Sequence, residues 1–444
     1  MATQMTDEPL PPAIPQAQRM GRFMSLAMVV GTVIGSGIYL LPATLAPYGP
    51  NMLWAFALTI GGTMTLAITL ARLAGHMPGG PFAYVGKAFG DVPASVTLWS
   101  YLVSQWSGVA AVAIAVSGAL SFVVPWAGSG IGLVLTSLAV IALLLAINIT
   151  GVRSAGNVQV ITTLIKIVPL LAVVLLVLGR FAKGQPIEPL MPVPVSWPGI
   201  AAAAALMLFS LTGFEAATVT ANVTEDSTDT VPKATIIGTG FSGLIYLAAT
   251  VATLLLLPSV MAAKSSAPFA DAIAPVLGNA AGALVAAIAA VSAFGTCNAL
   301  LLLSGEVARS MAAAGDMPPH FARTNGVGVP VIGLCIGSAI AAVLVLASGS
   351  EHFVPIYVFI SLLSSVATLI LYAVCAAAAI KLRVGSVLLG LVAIAYSIAM
   401  FVGAGWEATK WGLVLAAVGL PVRWLSRRFW PTPAAGIAPA APLE

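Results

Sequence analysis

Charge is what this sequence has least of. Its 444 residues include 18 Lys and Arg and 14 Asp and Glu, 7% of the chain, whereas a soluble domain carries about 25%. Hydrophobic residues make up 60% and the mean hydropathy is +1.05. Polar side chains are too few to cover a soluble fold of this length. Composition therefore excludes a soluble enzyme, a nucleic-acid binder and a disordered scaffold. The net charge of +4 reads as membrane topology, with no nucleic-acid partner expected.

Histidine and cysteine are almost as scarce. His76, His320 and His352 fall in loops or at the ends of apolar runs, so haem ligation between spans and His-based intramembrane proteolysis lack their ligand or base. Cys297, Cys335 and Cys375 lie inside apolar runs with no C-x-x-C spacing. A disulfide framework and a metal site are not expected, and these thiols read as small buried hydrophobes. There is no H-E-x-x-H and no G-x-x-x-x-G-K-[ST]. The stretch from Gly80 to Lys87 comes nearest, but it has the wrong spacing and is followed by Ala88. No short filter loop or ring of charges points to a channel. No cofactor is expected, and a secondary transporter is the class that remains.

Long apolar runs are what the sequence has in abundance. A spanning helix needs about 20 such residues. Twelve segments qualify: 24–46, 52–73, 94–124, 130–150, 157–181, 198–221, 234–258, 279–312, 329–348, 353–380, 384–403 and 409–430. An even count places both termini on one side. With that side taken as cytoplasmic, the inner segments hold Arg19, Arg22, Arg72, Lys87, Arg153, Lys233, Arg309, Arg323, Lys381, Arg383, Arg423, Arg427 and Arg428. The outer ones hold Arg180, Lys183, Lys264 and Lys410. The asymmetry predicts a multi-pass inner-membrane protein with both termini in the cytoplasm. Residues 1–21 read as a disordered lead-in before a retained first span rather than a signal peptide. Residues 431–444 read as a cytoplasmic tail.

Two of these runs are interrupted. The first contains Val30-Gly31-Thr32-Val33-Ile34-Gly35-Ser36-Gly37, and the sixth contains Phe209-Ser210-Leu211-Thr212-Gly213-Phe214-Glu215. Glycine weakens a helix interior by about 1 kcal/mol relative to Ala. These are the matching first helices of two five-span halves, and paired interruptions at equivalent places point to a transporter site. An unwound span ends one half-helix in free carbonyls and starts the next with free N–H groups and partial positive charge. An amino acid zwitterion needs both. Its carboxylate is expected to meet the Ser36 hydroxyl and the N–H groups of Gly35, Ser36 and Gly37. Its ammonium is expected to meet carbonyls near Val33, Ile34 and Phe209, with Thr212 at the same level. The alternative is that the glycines only permit close helix packing, as Gly31-x-x-x-Gly35 does elsewhere.

The stretch from Gly31 to Leu45 resembles span 1 of the amino acid–polyamine–organocation superfamily. So do Pro78-Gly79-Gly80-Pro81-Phe82-Ala83-Tyr84, Gly213-Phe214-Glu215 and Asp316-Met317-Pro318-Pro319-His320-Phe321-Ala322-Arg323. Within it the chain is most similar to the basic amino acid/polyamine antiporter family. The resemblance implies an all-α membrane protein of 12 transmembrane helices with the LeuT-type 5+5 inverted repeat and broken helices 1 and 6. A transport core would occupy 22–383, with repeats at about 24–181 and 198–380 and two accessory helices at 384–430. It also implies an amino acid or amine substrate, protons as coupling partners, surrounding membrane lipid and a homodimer as one open assembly state.

By the same resemblance Ser36 and Gly37 match the carboxylate-binding pair, Tyr101 an outer-gate tyrosine and Glu215 a glutamate linked to proton sensing. Members that exchange arginine for agmatine carry an asparagine where this chain has Val109, a gating tryptophan at Phe209 and a stacking tryptophan at Leu300. Losing a polar partner and a cation–π platform weakens dibasic binding by several kcal/mol together. A smaller or more apolar amino acid is expected, with a polyamine or dibasic antiporter as the alternative. A non-transporting sensor on the same fold is the alternative from another class. Lys166, about 14 Å into the fifth run at 1.5 Å per residue, is too deep to snorkel comfortably and should face the interior. The resemblance makes it a proton-linked surrogate for a sodium ion between spans 1 and 5; a static pin is the alternative. Glu215 reads either as a proton carrier or as a neutral prop.

Overall fold

The computed structural model describes residues 21–77, 80–150, 156–215, 226–347 and 353–430. Arg19, Pro78, Gly79, Arg153, Glu225, His352 and the 431–444 tail lie outside them. All regular structure among the described residues is helical. The first apolar run gives α1 (Arg22–Val33) and α2 (Gly37–Leu45). Then follow α3 (Asn51–His76), α4 (Gly80–Phe89), α5 (Asp91–Leu120), α6 (Gly130–Ile149), α7 (Gly156–Ala182) and α8 (Trp197–Leu211). Beyond residue 225 come α9 (Ser227–Leu256), α10 (Pro268–Leu277), α11 (Asn279–Ala313), α12 (Val331–Ala347), α13 (Phe353–Lys381), α14 (Val387–Gly403), α15 (Gly405–Ala417) and α16 (Gly419–Phe429).

Among the described residues seven helices are long and apolar enough to cross a membrane: α3, α5, α6, α7, α9, α11 and α13. The α1–α2 pair is bent by 41°, and α14 meets α15–α16 at 114°. The helices α8, α10 and α12 are apolar but shorter. The segment 409–430, expected as one continuous span, divides at Val418. Its second half, α16, sets Arg423, Arg427 and Arg428 among Leu420, Trp424 and Phe429, the pattern of an interfacial helix rather than a buried one. The expected helix over 384–403 starts three residues late, because Arg383 and Gly385 adopt φ of 56° and 84°. Helices α4 and α10 lie in stretches that read as simple connections.

The hub of the bundle is α5. From Ser95 to Ala119 every side chain except that of Val96 is buried. Such a helix, apolar around its circumference, belongs in the centre of a large bundle; it packs chiefly on α11 and α13. Helix α7 is two-faced instead. Leu164, Val168, Leu171, Leu175 and Leu178 are exposed, while Lys166, Leu170, Val173 and Val177 are buried. Both sets recur at helical spacing. An exposed leucine and valine stripe next to a buried lysine inverts the soluble pattern and suits a hydrocarbon solvent.

Candidate substrate site

At the end of α1, Ile34 leaves helical torsions with φ −72° and ψ 76°. Its N–H still reaches the Val30 carbonyl at 2.8 Å, and the Gly35 N–H turns back to Val33 at 2.7 Å. In a continuous helix the N–H groups of Ser36, Gly37 and Ile38 would donate to Thr32, Val33 and Ile34. Here none has a backbone acceptor among the described residues, as the first turn of a new helix dictates. The Ser36 hydroxyl makes no capping bond. It faces a cavity of about 20 Å³ shared with Tyr39, Leu40 and Phe269, room for about one water.

The break is braced from several sides. Tyr246 of α9 donates its hydroxyl to the Val33 carbonyl at 2.5 Å, and Ser292 of α11 donates to that of Gly35 at 3.3 Å. From α7, Lys166 Nζ donates to the Gly31 carbonyl at 3.2 Å, and Tyr39 returns a hydroxyl bond to the Lys166 carbonyl at 2.8 Å. Close approach needs small residues here: a Cβ at Gly37 would lie 2.6 Å from the Ser210 Cα on α8.

The second break follows α8. Thr212 turns extended, with φ −67° and ψ 161°, and Gly213 takes φ +104°, a conformation open to glycine but strained for other residues. Thr32 donates its hydroxyl to the Gly213 carbonyl at 3.0 Å, so the two breaks touch. The Gly213 N–H donates to Glu215 Oε2 at 3.0 Å. Tyr372 donates to the same oxygen at 3.0 Å, and Tyr101 donates to Oε1 at 3.3 Å. The carboxylate thus fills its own break with three donors.

Of the carbonyls expected to hold an ammonium, Val33 already accepts from Tyr246 and Gly35, and Phe209 accepts from the Thr212 hydroxyl at 2.7 Å. Ile34 has no donor among the described residues. A carbonyl accepts two bonds, so Ile34 and Phe209 retain capacity while Val33 is already filled. Val109, Phe209 and Leu300 meet in one apolar cluster with Leu40 and Tyr357. Phe209 sets its ring edge-to-face on Tyr357 at 6.1 Å, and the Val109 carbonyl accepts from Cys297 Sγ at 3.6 Å. Tyr101 sits eight residues nearer the start of α5 than Val109, with its hydroxyl engaged by Glu215.

Sequence reasoning did not find Tyr246, Ser292 or Tyr372, because a lone tyrosine or serine in an apolar helix carries no signature. It also counted Arg423 only among the charges of the inner side. Arg423 is buried and reaches Asp316, itself fully buried, at 2.6 Å; Arg427 reaches the same oxygen at 3.1 Å. Some of the other charges pair at the surface: Arg309 with Glu306 at 2.8 Å, and Arg22 and Lys233 with Asp229 at 3.3 and 2.7 Å.

Comparison with known proteins places the chain in a family. The chain is similar to the cadaverine/lysine antiporter of Escherichia coli (strain K12), 29% identical over 335 residues, covering 72% of this chain and 73% of the relative. It is 29% identical over 458 residues to a putative arginine/ornithine antiporter of Bacillus subtilis (strain 168), covering 92% and 97%. It is also 27% identical over 365 residues to the serine/threonine exchanger SteT of the same organism, covering 77% and 80%. None of these lends support to a non-transporting sensor. The family model described as amino acid permease matches residues 20–418. That match takes in both breaks, the apolar cluster and Lys166, and the chain belongs to the amino acid permease family: it is a transporter, not an enzyme.

Proposed function

We propose that the protein carries amino acids across the inner membrane by alternating access on a LeuT-type scaffold of twelve spans. Helices α1–α2 form span 1, and α8 belongs to span 6. Helices α3, α5, α6 and α7 form spans 2–5. Helices α9, α11, α12 and α13 form spans 7–10, and α14 and α15–α16 are accessory spans. The transport core is 22–383. Both termini are cytoplasmic, on the basic side of the charge asymmetry.

One observation carries the reading: three N–H groups at the start of α2 lack acceptors among the described residues, beside a Ser36 hydroxyl that makes no capping bond and in contact with the second break. A substrate carboxylate supplies those acceptors. The Ile34 and Phe209 carbonyls receive the ammonium, and the Val33 carbonyl joins them only when Tyr246 or Gly35 releases it. The apolar wall of Val109, Phe209 and Leu300 receives the side chain. About 20 Å³ at Ser36 is far too little for an amino acid, so entry requires α1 and α2 to move against α5 and α11.

Lys166 ties α7 to the Gly31 carbonyl just before the break, where loss or gain of its proton alters the grip on α1. Glu215, clasped by Tyr101 and Tyr372, is the second coupling group. Tyr101, the outer-gate tyrosine of the resemblance, is the gate that its bond to Glu215 links to the second break. Named substrates of the relatives include dibasic compounds and serine or threonine. The apolar wall favours the small, uncharged side chain, and the dibasic antiporter is the second reading because two of the three relatives carry dibasic names.

The test is uptake into proteoliposomes. Flux that requires amino acid inside means exchange, and flux driven by a pH gradient alone means proton symport. Absence of flux with all amino acids and polyamines, at full incorporation, overturns the reading.

A further inference from the structure

A second cavity lies away from both breaks. Its volume is about 440 Å³, within the roughly 300–1,000 Å³ range of ligand sites and far above the voids that packing normally leaves. It is walled by α5, α12, α13 and α15, and bordered at one end by α16 and the loop after α11. Along α5 it runs from Trp99 to Ser107, about 12 Å at 1.5 Å per residue. The Ser107 hydroxyl is already bonded to the carbonyls of Val103 and Ser104. The Trp99 indole N–H likewise donates to the Leu415 carbonyl at 2.8 Å. Apart from the buried Trp106 N–H, which has no partner among the described residues, the walls are apolar, so a polar ligand has little to hold it and water has few partners.

The end at α16 is different. Val422 and Met317 line the cavity there, and each is the chain neighbour of a member of the Asp316–Arg423–Arg427 cluster. Two guanidinium groups on one carboxylate leave one positive charge in excess. Arg427 is 46% exposed, and Arg323, two residues from the lining Phe321, is exposed. Trp424, Phe429 and Trp430 are exposed on the same helix or at its end. Aromatic residues interleaved with arginines mark the level of lipid headgroups. Narrow, apolar and cationic at its interfacial end, the cavity matches an anionic amphiphile.

From this we infer that the cavity is a binding site for one acyl chain of an anionic glycerophospholipid, whose phosphate is met by Arg427 and Arg323. The site lies on the transport machinery without being part of it. Trp99 and Val103 flank Tyr101 on α5, so an occupied cavity stiffens the helix that clasps Glu215. Lipid binding is measured without transport, so its failure leaves the transport reading untouched.

The full-length protein, purified and stripped of lipid, is incubated with phosphatidylglycerol carrying a mid-chain diazirine, irradiated and mapped by peptide mass spectrometry. Adducts are expected on the peptides holding Trp99–Ser107 and Ile336–Leu344. Ile340→Trp, which fills the void, should cut that labelling about tenfold, whereas Val343→Trp, at a position 61% exposed on the outer face, should leave it intact. Ile340→Phe serves if the tryptophan variant does not fold. Arg427→Gln should lower the preference for phosphatidylglycerol over phosphatidylcholine about fivefold. Labelling spread evenly over α6 and α7 overturns the inference, as does equal labelling by the two lipids in the parent protein. Unchanged labelling in both Ile340 variants overturns it too. A large rise in labelling on deletion of residues 431–444 would place the chain's own tail in the cavity and also overturn it.

Discussion

The two breaks expose the same kind of group and treat it in opposite ways. At the second, the Gly213 N–H is satisfied from within the chain by Glu215. At the first, the N–H groups of Ser36, Gly37 and Ile38 have no acceptor, carboxylate or other, among the described residues. A carboxylate is what completes a helix N-terminus. One break carries its own anion and the other is left for an anion that comes and goes. The difference separates a structural interruption from a binding one, although both begin as glycine in an apolar run.

The largest effect should come from closing the first break. Gly37→Val places side-chain carbon against the Ser210 backbone, and overpacking of this kind costs about 1–3 kcal/mol. We expect substrate affinity to fall by about a hundredfold at unchanged membrane insertion. Isothermal binding and uptake would check it; a valine variant that still binds would mean the carboxylate does not dock at this helix start.

The second break is sharpened by a pair of substitutions. Glu215→Ala leaves the Gly213 N–H and two tyrosine hydroxyls without their acceptor, at about 1–3 kcal/mol for each buried group. It should lower both thermal stability and flux. Glu215→Gln can keep all three contacts, its oxygen accepting from Gly213 and Tyr372 and its amide donating to Tyr101. If Glu215 is a prop, the glutamine variant transports with the parent's pH profile. If it carries a proton, the glutamine variant folds but its flux no longer follows pH.

Lys166→Ala tests the brace between α7 and the first break. Removing the bond to Gly31 should change the pH dependence of uptake while leaving the protein in the membrane. A variant with full activity and an unaltered pH profile would make Lys166 a static pin. The cost of holding a charge at this depth, at least about 2.5 kcal/mol, is why a merely structural lysine is the less economical arrangement.

Much of this contrast was legible in the residues, and some was not. Gly35-Ser36-Gly37 and Thr212-Gly213 announce the breaks because glycine weakens a helix interior and the weak points recur at equivalent places in the two runs. Lys166 announces itself because a lone charge in hydrocarbon must find a partner. Tyr246, Ser292 and Tyr372 stayed hidden, since hydroxyls in spans are common and their partners lie 157 or more positions away in sequence. The split of 409–430 was hidden for a different reason. Hydropathy averaged over that run blends the apolar α15 with the amphipathic α16, and only the spacing of Arg423, Arg427 and Arg428 separates them.

The smallest expected effect is the most informative about substrate. Val109 is fully buried in the cluster that holds Phe209 and Leu300. Val109→Asn places an amide where no polar partner waits, costing about 1–3 kcal/mol in the empty protein and lowering its melting temperature by a few degrees. A dibasic substrate whose distal ammonium reaches the amide recovers part of that loss, whereas a neutral amino acid recovers none. Lysine or cadaverine should therefore raise the variant's melting temperature more than the parent's, with affinity improved up to about tenfold, and alanine or serine should not. Equal shifts for charged and neutral ligands would place the distal pocket elsewhere than the wall formed by Val109, Phe209 and Leu300, and would leave the contrast between the two breaks standing on backbone groups alone.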